Sequence, residues 1–182
     1  MQRNSLSCKA NTLPLIRHKF DSTIVMQMKD YLIDTFRYND VTNRKLIEKI
    51  KLLPEQAQCI KFFSHLINSQ FKWMARIKMD PKAPEMSWWD PVYPLQRLVE
   101  EWEKSLSPWI DYINAMTDEE LSKEVNFIGF DGSLWAASSQ DIALQLNYHS
   151  IHHRAQIQTI IRSQGMEPDF VDYIGTKYRK IK

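Results

Sequence analysis

Residues 95–113 read LQRLVEEWEKSLSPWIDYI. Large apolar side chains fall at Leu95, Leu98, Trp102, Leu106, Trp109 and Ile113, always three or four residues apart. That spacing places all of them on one face of a helix, and a helix with one apolar face must bury it against others. Upstream, PEQAQCIKFFSHLINSQFKWMARIK shows the same periodicity from Pro54 until DPKAP breaks it at residues 80–84. Further upstream, Ile24, Met28, Tyr31, Thr35, Leu46, Ile50 and Leu53 mark a helix from about Ser22 to Leu53. Pro54 is expected to end that helix and open the next, because proline suits a first helical turn.

Downstream, TDEEL reads as a short turn with a capping box between Thr117 and Glu120. VNFIGFDGSLWAA carries Asp-Gly between β-prone runs and predicts a small hairpin. Ser138 or Ser139 is expected to cap a last helix, which Gly165 ends in a left-handed conformation. The economical packing of these segments is an all-α four-helix bundle with a minor hairpin before its last helix. The Pro- and Trp-rich connection at 80–93 is long enough for a crossover. Residues 1–21 read as an irregular segment, and 22–182 as a single domain.

The chain has 182 residues, enough for one core without covalent staples. With 24 basic and 22 acidic residues, its charge is too even for a nucleic-acid-binding face. Two cysteines, Cys8 and Cys59, make no disulfide framework, and Cys59 reads as a packed core thiol. The first twenty residues lack the apolar run of about 7–15 that a signal peptide needs. No window reaches the roughly 18 apolar residues of a membrane span. The expected location is the cytoplasm, with no membrane partner.

Residues 144–161, LQLNYHSIHHRAQIQTII, place three of the five histidines within five positions. His149 and His153 lie about 40° apart around the helix, one turn from each other on its inward stripe. Two imidazoles so placed can grip one metal ion. His152 sits at the shoulder of the stripe. A third ligand must come from a neighbouring helix, and His65 in FFSHLIN is the candidate. Gln145 and Gln156 lie within about 40° of His149 and are placed to support the ligands or touch a bound molecule. A lone histidine on an apolar face is ordinarily a core residue, but a buried pair must find partners for both rings. Trp88 and Trp89 either cover one end of the bundle or form an apolar wall beside the metal. HSIHH has serine where a metalloprotease helix carries its glutamate base, and no Glu-x-x-His pair of a di-iron bundle is present. Nucleotide-binding and serine-nucleophile signatures are also missing.

NYHSIHHRAQIQTIIRSQG resembles the helix-four motif N-H-x-x-H-H-R-G-Q of the DinB-like (YfiT-like) metal-binding bundles. Residues 38–77, the FIGFDGSLW hairpin and the closing GMEPDFVDYI are similar to the same family, so the likeness spans about residues 30–175. The resemblance implies a bundle of up-down-down-up order, commonly a homodimer, with a divalent ion on His65, His149 and His153. Ala155 departs from the motif's glycine, on the side of the helix away from His149. Arg154 matches the motif's arginine. By rotation it is expected to point away from the core, into an ion pair or an interface.

Characterised members of that family include thiol transferases. The leading expectation is a metal-dependent transferase joining a low-molecular-weight thiol to a small electrophile. A metal-dependent hydrolase and a non-catalytic, metal-stabilised binding protein are the alternatives. Three imidazoles suit zinc or nickel first, with iron, copper and manganese behind them.

Overall fold

The computed structural model describes residues 27–129 and 131–181. The expectation of an irregular segment at 1–21, and the helix start near Ser22 with Ile24, lie outside the described residues. Helix α1 (Met28–Ile50) is followed by α2 (Ala57–Ile77), α3 (Leu98–Ala115) and the short α4 (Asp118–Ser122). Strands β1 (Glu124–Ile128) and β2 (Leu134–Ser138) then form an antiparallel hairpin, and α5 (Ser139–Ser163) closes the bundle.

The α3 stripe is the core. Leu98, Trp102, Trp109 and Ile113 are wholly buried, Leu106 nearly so, and Leu95 half-buried in a 3-10 turn ahead of the helix. Trp102 meets Phe63 edge-on, and Trp109 stacks on Phe36 with centroids 6.0 Å apart. Helices α1 and α2 each pack against both α3 and α5.

Side-chain pairings give the directions. Asp118, just past α3, accepts the backbone N–H groups of Met28 and Lys29 at the start of α1, so those two helices run oppositely. Gln164, just past α5, holds the backbone of Glu55 just before α2, so α2 and α5 are also opposed. Asn39 and Asn43 of α1 pair in register with Asn147 and Ser150 of α5, which makes those two parallel. The order is therefore up-down-down-up. The connection at 78–97 is the crossover that lets α3 run parallel to α2.

Ser138 caps α5 by accepting the Asp141 N–H, Gly165 has φ 79°, and Thr117 with Glu120 forms the capping box. Two boundaries differ from expectation. Helix α1 ends at Ile50, with Leu53 buried in the turn beyond it. Pro54 does not open α2, which begins at Ala57. The reason is the Gln164 side-chain amide, which takes both the N–H and the C=O of Glu55 at 3.0 and 2.9 Å and keeps that residue out of the helix. No helix among the described residues is long and apolar enough to cross a membrane.

Candidate metal centre

His65 comes from the middle of α2, and His149 and His153 from successive turns of α5. Because α2 and α5 are direct neighbours, the rings meet. His149 Nε2 lies 3.0 Å from His65 Nε2 and 2.9 Å from His153 Nε2. The three ring centroids are 4.5–4.7 Å apart, and the planes cross at 77–89°. The three ligand atoms lie within 4.8 Å of one another. At a metal–nitrogen distance of about 2.0–2.1 Å, tetrahedral ligands sit roughly 3.3 Å apart, close to the spacing found here.

The outer nitrogens determine which tautomers face inward. Trp88's carbonyl, 2.6 Å from His65 Nδ1, can only accept, so that nitrogen carries the proton and Nε2 keeps its lone pair. Gln156 Oε1 does the same for His153 Nδ1 at 2.7 Å. His149 Nε2 therefore faces two acceptors, and one proton on it can satisfy only one of them. A cation at the centre answers all three lone pairs at once, so this donor set fits a metal ion. The three histidines are positioned to hold one.

Trp89 lies flat on the His65 ring, with centroids 3.8 Å apart and planes 11° from parallel. Trp89 thus covers one face of the His65 ring, and Trp88 lines a cavity beside it. This cavity of about 250 Å3 opens on two of the three histidines, His65 and His149, and is also lined by Ser69, Trp73, Trp88 and Gln145. No carboxylate lines it. Gln145 borders the cavity, whereas Gln156 acts through His153. His152 is exposed, with its ring centroid 5.0 Å from that of His153, and stands outside the trio. Cys59 is wholly buried, and burial pushes its thiol up to about 11, as suits a packed core residue.

Arg154 corrects the sequence expectation. It is 2% exposed and faces α1, with no ion pair among the described residues. Helix α5 is covered on two sides, by α1 and α2, so its buried arc is wider than its apolar stripe. Asn147, Ser150 and Arg154 fall within that arc. The polar run Asn39, Thr42 and Asn43 on α1, at helical spacing, is the signal that could have revealed it.

Burial, with the neighbouring imidazoles adding to it, lowers His149 to about 3 and His153 to about 4; burial also lowers His65. In the unfolded chain each histidine returns to about 6.5. Between those values the unfolded state binds more protons, so stability falls as pH falls. Metal-free protein should lose urea resistance steadily from pH 7 to pH 4. Midpoints that stay level across that window in equilibrium unfolding would contradict the buried, neutral trio.

Compared with known proteins, residues 58–157 match the sequence model of the DinB superfamily. No curated protein and no solved structure matches the chain.

Proposed function

The chain belongs to the DinB superfamily, and on that premise we propose that it is a metal-dependent S-transferase, joining a low-molecular-weight thiol to a small electrophile. The observation that carries this reading is the cavity beside the trio, walled by Trp73, Trp88 and Leu146 and lined by no carboxylate. A metal-bound water can ionise near neutral pH unaided, but the proton transfers of hydrolysis commonly use a carboxylate base, which this lining lacks. A thiol needs no such base, since its ordinary pKa is already near 8.5. A divalent ion held by the three Nε2 atoms would supply Lewis acidity that lowers the thiol's pKa further.

The chain's own residues account for the rest. The Trp88 carbonyl and Gln156 hold protons on the outer nitrogens of His65 and His153, keeping the inner ones free. Stacking on Trp89 restrains the His65 ring. The aromatic wall keeps water from the electrophile. Ser69 Oγ donates its proton to the His65 carbonyl at 2.7 Å, so it offers the cavity lone pairs only. Gln145 presents an amide that can donate and accept, suited to the polar part of a thiol. In the reaction the thiol releases its proton to solvent, a carbon–sulfur bond forms, and the bond from that carbon to the leaving group breaks, the leaving group taking the electron pair.

The test is conjugation of 1-chloro-2,4-dinitrobenzene with a panel of small thiols by zinc- or nickel-loaded protein, followed as S-aryl product and released chloride. The expected result is a rate that depends on both thiol and metal. A rate equal to that of metal-free protein, or turnover that needs no thiol, would overturn the proposal.

A further inference from the structure

Besides His65, helix α2 carries two buried basic side chains, Lys72 and Arg76, which are 5% and 6% exposed. Neither has a carboxylate partner among the described residues. Burial is the main cause lowering the pKa of each, as expected of charges without counter-charges. Their situations differ in one respect. The Lys72 ammonium donates to the carbonyls of Met86 and Pro84, tying the 80–93 connection down on α2. The Arg76 guanidinium makes no hydrogen bond among the described residues, and its Nε–H is buried without a partner.

What surrounds Arg76 is aromatic. Its guanidinium carbon lies 4.8 Å from the Trp73 ring, 5.0 Å from Trp88 and 5.2 Å from Phe127. These faces stabilise the charge and hold the plane of the fork, yet they accept little from its N–H groups. A buried donor left unmatched is costly, so a group that stays this way calls for an acceptor. Arg76 lines a cavity of about 200 Å3 between the hairpin and the 80–93 connection. At about 30 Å3 per water, that is room for six or seven waters. Met79, Pro84, Phe127 and Ile128 make most of the remaining lining apolar.

We propose that this cavity is a second ligand site, in which the Arg76 fork takes the carboxylate of a small organic acid and the apolar lining takes its carbon chain. An arginine fork matches a carboxylate in two parallel hydrogen bonds. The apolar surround favours an organic acid over inorganic phosphate, whose remaining oxygens would lose water without replacement. Asp80, four residues beyond Arg76, is exposed at the rim and accepts the Lys82 N–H instead of pairing with the guanidinium. It sets a modest electrostatic barrier to the anion. The site lies beyond the Trp73 and Trp88 rings from the histidines and does not depend on a metal.

The test is titration of full-length 15N-labelled protein, metal-free and zinc-loaded, with sodium butyrate and separately with inorganic phosphate, following the Arg76 Nε–H resonance. Butyrate should shift it saturably and equally in both forms, and more strongly than phosphate does. Arg76→Met should weaken butyrate binding about 10–100-fold, the range expected for losing charge-assisted hydrogen bonds. Asp80→Asn should tighten binding without destabilising the fold. No shift with butyrate, preference for phosphate, or unchanged affinity in Arg76→Met would each overturn the site. So would an Asp80→Asn variant that is destabilised and binds no tighter, because Asp80 would then be the partner Arg76 uses in solution. Equal binding in His149→Ala protein separates this result from the fate of the histidine centre.

Discussion

Replacing His149 with alanine should reduce metal affinity by more than about 100-fold, because loss of a supporting group alone commonly costs 10–100-fold. His149 is the hub of the trio, since its Nε2 is within 3.0 Å of both other inward nitrogens. Removing it leaves one imidazole on each of two helices and no third imidazole, thiolate or carboxylate among the described residues that line the cavity. Gln156→Leu should fall in the smaller range, because it frees the His153 tautomer without deleting a ligand. His152→Ala should leave affinity unchanged, as that ring points outside the trio. Competition with a chromophoric chelator gives the constants, and elemental analysis after gel filtration gives the stoichiometry. Native-like affinity in His149→Ala would mean the three rings do not share an ion. Metal-free His149→Ala should fold at least as stably as metal-free parent near pH 5, since one buried imidazole that resists protonation is gone. That comparison distinguishes a lost ligand from a lost fold.

Much of this centre could be read from the chain, for a particular reason. The relation between His149 and His153 is set by the helical period alone, and so are the α3 stripe and the capping residues Ser138, Thr117 and Glu120. Each is a local pattern within one element. His65 could be put forward as a candidate, but its convergence with the pair depends on the register of α2 against α5. That register is set by packing and by the Gln164 clamp on Glu55, which links positions more than a hundred residues apart. The same clamp moved the start of α2 away from Pro54. Trp88's contribution to His65 is a backbone carbonyl, an atom every residue has and no sequence pattern marks. Arg154 was misplaced because an inward face drawn from apolar residues alone is too narrow for a helix covered on two sides. Arg76 is marked by no sequence pattern, because the lack of an acceptor is a property of everything around it.

Arg154 also carries the largest expected effect on the fold itself. One terminal nitrogen of its guanidinium donates among Asn39 Oδ1, Thr42 Oγ1 and Asn43 Oδ1 at 3.1, 2.6 and 3.1 Å, and the other donates to the Tyr38 hydroxyl at 3.0 Å. The guanidinium also lies 4.9 Å from the Tyr38 ring centroid. A single charged side chain thus satisfies four acceptors on α1 from the middle of α5, at 2% exposure. Removing it strands those oxygens away from water, at about 1–3 kcal/mol for each that finds no new partner. Relaxation of the asparagine amides should limit the total, so Arg154→Ala is expected to cost about 3–5 kcal/mol, as for breaking a buried charged network. Against a typical total of about 5–15 kcal/mol, that leaves the protein close to its folding threshold. Arg154→Met restores volume but no donors, so it should recover only part of the loss. Arg154→Lys offers a compact ammonium in place of a planar fork and should also fall short. Urea unfolding of the metal-free variants measures this, and Arg154→Met within about 1 kcal/mol of the parent would show that the network contributes little. Whatever fraction of each variant folds should bind metal with unchanged stoichiometry, because Arg154 lies about 140° around the helix from His149 and touches none of the three rings.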